Sequence, residues 1–180
     1  MSVHFCPDTT KVMNTIYTEE TLVEFPWSEK MPTLNNILHT AQERAQAANL
    51  PYTGALTPTE AHYLIQHAPG AILVDVRSQA ERDLIGTIDQ AVTVEWQTYP
   101  GWQPNPYFIT QLKAAVDPEA LVMFFCRSGN RSSQAAVAAY NAGYSEAYNV
   151  LEGFEGDKND LGRRGQKNGW KFAGLPWQQK

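Results

Sequence analysis

The chain has 180 residues, a formal net charge of −5 and 43% hydrophobic residues, which suits one domain with an extension and allows a sizeable core. An acidic chain argues against a general nucleic-acid binder, which is normally basic, and no apolar run is long enough to span a bilayer. The opening MSVHFCPDTT lacks the basic and apolar regions of a secretory signal. Cys6 and Cys126 lie too far apart in the chain to suggest a disulfide framework or a zinc pattern. A cytoplasmic location is expected, because reducing conditions keep a working thiol free.

Residues 1–32 have little periodicity and carry an acidic cluster at Glu19, Glu20 and Glu24. They read as a partly flexible N-terminal extension ahead of a domain over 33–180. Leu34, Ile37, Leu38, Ala41, Ala45 and Ala48 recur at helical spacing, so a helix is expected over 34–50, stopped by Pro51. Thr57 or Thr59 can cap a second helix through 60–67, closed by Pro69 and Gly70. AILV at 71–74 and LVMFF at 121–125 are short continuous apolar runs. Such runs are typical of parallel strands covered on both faces. Further strands are expected at 91–94 and 147–151, with helices at 79–85, 105–115 and 130–142. Strand alternating with helix defines an α/β fold, with a mainly parallel sheet and helices on both faces. Residues 158–180 read as a tail packing on the domain, anchored by Trp170 and Trp177. Its basic residues Lys158, Arg163, Arg164, Lys167 and Lys171 read as a solvated face, or as a recruiter of an acidic partner.

Ligands of such sheets bind beyond the carboxyl ends of strands, where Asp75, Arg77, Cys126 and Arg127 fall. The segment Cys126, Arg127, Ser128, Gly129, Asn130, Arg131, Ser132 joins a buried strand to an Ala-rich helix. A cysteine there meets unpaired N–H groups and the positive end of the helix dipole. Arg127 and Arg131 add formal charge, which favours the reactive thiolate. Gly129 lets the backbone curl into an anion nest, and Ser132 and Ser133 can cap freed amides. A lone cysteine is most often a buried structural side chain; two arginines, a glycine and a helix start argue for a reactive one instead. Trp96, at the end of the third strand, is equally a pocket wall or a core residue. His4, His39, His62 and His67 form no metal spacing, and the chemistry calls for no metal or organic cofactor. Spacing separates two chemistries. Cysteine phosphatases and arsenate reductases place five residues between Cys and Arg, whereas four separate Cys126 from Arg131 and the corresponding position is Ser132. The shorter loop makes a smaller cradle, suited to a sulfur atom.

Taken together, AILVDVRSQAER at 71–82, FFCRSGNRSSQAA at 124–136 and YNVLEGFEGD at 148–157, with GW at 169–170 and GLPW at 174–177, resemble the single-domain rhodaneses. This is the thiosulfate sulfurtransferase family, and the likeness is to its bacterial type. One departure is Gly86-Thr87-Ile88, where the family usually has Gly-His-Ile. The resemblance implies a rhodanese-like sheet of about five strands and a two-step transfer through Cys126. The thiolate takes the outer sulfur of a small anionic donor such as thiosulfate, and a thiophilic acceptor then removes it: cyanide, or a thiol that includes a protein thiol. Neither nucleic acid nor membrane is an expected partner. The amides of Arg127 to Ser132 would hold the persulfide anion and an unpaired Arg127 would attract donor. Asp75 would support the loop through an arginine, with Arg131 the candidate, and Arg77 would form a structural ion pair with Glu81. Cys6 is a candidate resolving thiol. The alternatives are a non-turnover sulfur relay or redox-sensing module that docks a specific partner and, disfavoured by loop length, a phosphatase or arsenate reductase.

Residues 1–32 have little core to bury. A chain starting at Thr33 is therefore expected to fold cooperatively and keep its sulfur-transfer rate. Urea unfolding and a thiosulfate assay check this, and failure to fold would place the extension inside the domain.

Overall fold

The computed structural model describes residues 33–179; the expectations for residues 1–32, Cys6 included, lie outside them. Helix α1 spans Leu34–Ala47 and begins at Thr33, whose hydroxyl accepts the Asn36 N–H at 3.2 Å. It ends ahead of Pro51, because Asn49 adopts a left-handed φ of 50°, a conformation Asn tolerates better than most residues. Strand β1, Gly54–Leu56, has three residues, too few to give a periodic signal in sequence. Helix α2, Pro58–His67, opens on a capping box of Thr57 and Glu60; Thr57 rather than Thr59 is the cap, with Pro58 in the first turn where its missing N–H costs nothing.

Strand β2 is Ile72–Asp75 and helix α3 is Gln79–Ile85, opened by a second capping box of Ser78 and Glu81. Strand β3, Val92–Thr93, leads to a small antiparallel hairpin of β4, Gln97–Thr98, and β5, Gln103–Pro104. Helix α4, Phe108–Ala115, starts later than the expected Asn105. Asn105 is instead tied to the preceding loop: its amide donates to the Glu95 carbonyl at 2.8 Å and its side-chain oxygen accepts the Tyr107 N–H at 3.0 Å. Strand β6, Val122–Phe125, helix α5, Asn130–Asn141, and strand β7, Ala147–Val150, complete the fold.

The five longer-range strands form one parallel sheet in the order β1-β7-β6-β2-β3. The α/β class, the parallel sheet and its five strands agree with the sequence. Alternation assigns each strand residue to a layer. Val74, Val122 and Phe124 join Leu112, Ala135, Ala136 and Ala139 of α4 and α5. Leu73, Met123 and Phe125 join Ile37, Ala41, Ala61 and Leu64 of α1 and α2. The central strand β6 is therefore buried on both faces, which is why its sequence is continuously apolar. Each of its side chains contributes about 1.5–3 kcal/mol by leaving water. The tail crosses the α1/α2 face. Trp170 is buried there, with its indole N–H donating to the Pro176 carbonyl at 2.9 Å, and Thr87 and Gln178 exchange backbone hydrogen bonds of 2.7 and 2.9 Å. Thr87 thus acts through its backbone.

At the carboxyl end of β2, Asp75 and Arg77 are both fully buried and pair with each other. Asp75 Oδ2 accepts Arg77 Nη2 at 2.6 Å, and Oδ1 accepts the Arg77 backbone N–H and Nε, each at 2.9 Å. The expected pairings, Asp75 with Arg131 and Arg77 with Glu81, are both corrected. The reason is local: the bend after β2 turns the Arg77 side chain back over the strand end, where Nη2 also donates to the Gly86 carbonyl at 2.9 Å. The Phe154 ring lies 4.1 Å beneath the guanidinium. Removing one member of a buried pair leaves an uncompensated charge. Asp75→Ala is expected to lose about 3–5 kcal/mol of unfolding free energy, read from urea titrations. A loss below about 1 kcal/mol, the worth of a surface pair, would contradict its structural weight.

Candidate active site

The loop from Cys126 to Gly129 leaves the end of β6 and enters α5. Gly129 caps the helix with φ 93° and without a side-chain cap, a backbone that any side chain would strain. This turn brings the Gly129 N–H to 3.2 Å from Cys126 Sγ. The Ser132 hydroxyl lies 3.4 Å from the same sulfur and 3.0 Å from the Gly129 carbonyl. Its single proton serves one acceptor at a time, and both acceptors lie within reach. The expected capping role of the serines is thereby corrected: Ser132 faces the sulfur, and the Ser133 hydroxyl lies 3.4 Å from that of Tyr52. The first N–H groups of α5 have no acceptor within the helix, and this end of the helix begins beside the sulfur.

Cys126 is almost wholly buried, at 1% exposure, and forms the floor of a cavity of about 270 Å³. Its walls include Arg127, Ser128, Asn130 and Arg131 of the loop, Glu81 of α3, Trp102 of the hairpin and Arg164 of the tail. Trp96 is not among them. It packs edge-on against Phe108 at 4.9 Å and donates through Nε1 to Gln134 at 3.1 Å, because the chain turns back onto α4 after the short β3. Trp102 occupies the position expected of Trp96, in a left-handed backbone of φ 54°. Arg164, expected on a solvated face, reaches the cavity, with Nη1 on the Gly156 carbonyl and Nε without a hydrogen-bond partner among the described residues. Lys171 also leaves solvent in part: it donates to the Ile85 carbonyl at 2.7 Å and lies 3.7 Å over the Trp177 ring.

The two loop arginines differ in surroundings. Arg127 is 43% exposed and pairs with Glu155 at 2.8 Å, so it is not the unpaired cation expected. Arg131 is largely enclosed and grips Glu81 with two hydrogen bonds of 2.8 and 2.6 Å. Burial works against its charge, but the bonds and charge of Glu81, with the Cys126 sulfur behind them, hold it above the ordinary arginine range. Burial likewise opposes the Glu81 carboxylate, and Arg131 and Ser78 outweigh it, leaving Glu81 below its ordinary range. A carboxylate so lowered stabilises the fold above its unfolded value, and that contribution is lost as pH falls through the folded one. One carboxylate therefore caps α3, through Ser78 at 3.1 Å, and fixes the loop arginine.

The segment after β7 completes the site and was missed as a contributor. The Phe154 N–H donates to the Cys126 carbonyl at 2.8 Å, and those of Glu155 and Gly156 to the Arg127 carbonyl at 2.9 and 3.2 Å. At Gly153, φ is 61° and an added Cβ would lie 2.5 Å from the Cys126 oxygen, so only glycine fits between the two backbones. In sequence this stretch served only as a family mark; a glycine three residues after a strand that ends beside the loop is the signal it carried. No group of metal-ligating side chains is found among the described residues, nor any helix long and apolar enough to cross a membrane.

A cysteine cradle of this kind, at the carboxyl end of a parallel strand, defines a class of α/β proteins, and comparison with known proteins places the chain within it. Residues 57–160 match the rhodanese-like domain, and the chain belongs to that family. An uncharacterised protein of Rickettsia rickettsii is 34% identical over 122 residues, covering 67% of this chain and 93% of its own. A counterpart in Rickettsia conorii is 35% identical over the same shares. Among solved structures, Rv0390 from M. tuberculosis is 42% identical with a TM-score of 0.67, covering 72% of this chain and 99% of that one. The polysulfide-sulfur transferase homodimer of Wolinella succinogenes is 23% identical with a TM-score of 0.51, over 79% and 89%, and shares the fold.

Since Arg131 rather than Arg127 stands by the sulfur, the two arginines should act unequally. Arg131→Ala is expected to slow iodoacetamide alkylation of Cys126 at neutral pH by about threefold to tenfold, and Arg127→Ala by less. Alkylation rates across pH 5–10 check this; a larger effect of Arg127→Ala would reverse the assignment.

Proposed function

We propose that the protein is a sulfurtransferase that carries a sulfane sulfur as a persulfide on Cys126. The observation that bears most weight is the sulfur at the cavity floor, 3.2 Å from the Gly129 N–H and 3.4 Å from the Ser132 hydroxyl. Preorganised donors aimed at one atom favour whichever state puts negative charge there. Membership in the rhodanese-like family and the sulfur-transferring relative of the same fold support the general class.

In the first half-reaction the Cys126 thiolate attacks the outer sulfur of thiosulfate. The Cys126 Sγ–S bond forms as the S–S bond of the donor breaks, and sulfite leaves with the electron pair. Charge is conserved: a thiolate and a dianion become a persulfide anion and a dianion. The added sulfur extends into the cavity towards the first-turn N–H groups of α5, where it is held without a metal or organic cofactor. A cavity of about 270 Å³ is below the range typical of drug-sized ligands and suits a small anion. In the second half-reaction a thiol or cyanide takes the outer sulfur and restores the thiolate. This is covalent nucleophilic catalysis, with ping-pong kinetics. Arg127, Arg131 and Arg164 at the walls draw in an anionic donor.

Intact-protein mass spectrometry after thiosulfate treatment is expected to show one added sulfur atom that cyanide or dithiothreitol removes. Cys126→Ser should show no adduct. An adduct that persists in Cys126→Ser would overturn the assignment of the carrier.

A further inference from the structure

A second concavity adjoins the thiol cavity, and nothing in the transfer chemistry uses it. It measures about 180 Å³ and lies between α3 and the β4–β5 hairpin, walled by Leu84, Ile85, Tyr99 and Trp102 with Ala80 at its side. It shares Glu81, Trp102 and Arg127 with the cavity above Cys126, so the two concavities are continuous along that wall. Its walls are large apolar groups left to solvent: Leu84 is 74% exposed, Tyr99 58% and Trp102 44%. Exposed apolar side chains scattered singly need no explanation, but three around one opening mark an interaction site. Trp, Tyr and Arg are also the residues that dominate binding at protein interfaces.

The hairpin is built to hold this wall. Trp102 lies 5.1 Å over the Arg131 guanidinium and packs edge-on against Tyr99 at 5.7 Å. Its left-handed backbone is unusual for a bulky residue and is offset by such contacts. Charge supplies the second criterion. The chain as a whole carries −5, yet three arginines, Arg127, Arg131 and Arg164, stand around the joined openings against the carboxylates Glu81 and Glu155. This face is locally positive on an acidic molecule, so it attracts acidic partners that the rest of the surface repels.

We propose that the cleft seats the sulfur acceptor, a cysteine-bearing polypeptide segment with a bulky apolar side chain beside the cysteine and acidic residues flanking it. The inference rests on the sulfur-transfer reading of Cys126. The apolar side chain fills the cleft between Leu84 and Trp102, the acidic flank meets Arg127 and Arg164, and the acceptor cysteine points over the shared wall to the persulfide. The acceptor thiol gives its proton to the persulfide anion, and the resulting thiolate attacks the outer sulfur. A bond forms between the acceptor sulfur and the transferred sulfur, the Cys126 Sγ–S bond breaks, and the electron pair returns to Cys126 as thiolate. The acceptor leaves as a persulfide, and no oxidant or reductant is consumed.

The test loads the full chain with thiosulfate, removes the excess, and follows discharge by mass spectrometry to three acceptors. These are cyanide, a peptide with Leu-Cys between aspartates, and the same peptide with Gly in place of Leu. The Leu peptide is expected to discharge the protein about tenfold faster than the Gly peptide, the worth of one buried apolar side chain. In Leu84→Ser, an exposed position whose change does not touch the core, the ratio of Leu-peptide to cyanide rates should fall by a similar factor. Lysines in place of the aspartates should slow transfer. A loaded protein that discharges equally to both peptides, or whose ratio is unmoved by Leu84→Ser, overturns this inference and leaves the transfer reading standing. A protein that never loads sulfur overturns both.

Discussion

Two opposite charges, on Asp75 and Arg77, lie fully out of water at the carboxyl end of β2, and the cysteine loop is built above them. Burying either alone would cost several kcal/mol, so the pair must form, and its geometry propagates. Arg77 reaches the Gly86 carbonyl at the end of α3, which fixes that helix against the strand. Its guanidinium stacks on Phe154 and approaches Phe125, the residue before Cys126. Phe154 in turn donates its N–H to the Cys126 carbonyl. One ion pair thus ties together β2, α3, β6 and the segment after β7, four of the pieces of chain around the site. Arg77 Nη1 has no hydrogen-bond partner among the described residues.

The charges nearer the sulfur follow a different logic. Arg127 and Arg131 each hold a carboxylate, Glu155 and Glu81, which damps the field either could apply to the thiol. Full formal charges beside the sulfur would hold a thiolate, but would also lower its nucleophilicity. The paired arginines still line the cavity, with Arg164, as its positive wall. The closest stabilisation at the sulfur comes from the Gly129 N–H and the Ser132 hydroxyl, which are fixed by the backbone and need no counter-ion. The Glu81 carboxylate, shared between the cap of α3 and Arg131, ties this arrangement to the same helix that Arg77 anchors.

What could be read in the sequence divides along the same physical lines. Strand β6 and the first three residues of β2 are apolar because both faces are covered, so these short apolar runs revealed them, and with them the parallel sheet. Helix α3 was expected over 79–85, and the structure gives it those bounds. The cysteine loop was visible because its residues are contiguous. The ion pairs were not, since Asp75, Arg77, Glu81 and Arg131 permit more than one pairing and only the bend after β2 selects among them. Strand β1 was too short to show a period. Trp102 was hidden for a further reason: a hairpin of two-residue strands has no apolar pattern, so nothing before the fold indicates which tryptophan it delivers to the cavity.

That hairpin lies between β3 and α4, in a connection the sheet does not constrain. The cradle cannot vary much: Gly153 leaves no room for a side chain against the Cys126 carbonyl, and Gly129 must remain left-handed for its N–H to meet the sulfur. The scaffold therefore holds the sulfur in one place whatever brings it or removes it. Discrimination between partners must then come from elements that can change without disturbing the cradle. Connections are such elements, since they tolerate substitution and carry recognition on a rigid frame. Trp102 meets the condition, because its ring faces the side chain of Arg131, 5.1 Å from the guanidinium. Arg164 meets it as well, reaching the cavity from the tail. On the proposed reading of Cys126, specificity falls to these two surface segments, Trp102 of the hairpin and Arg164 of the tail, which both line the cavity above the sulfur.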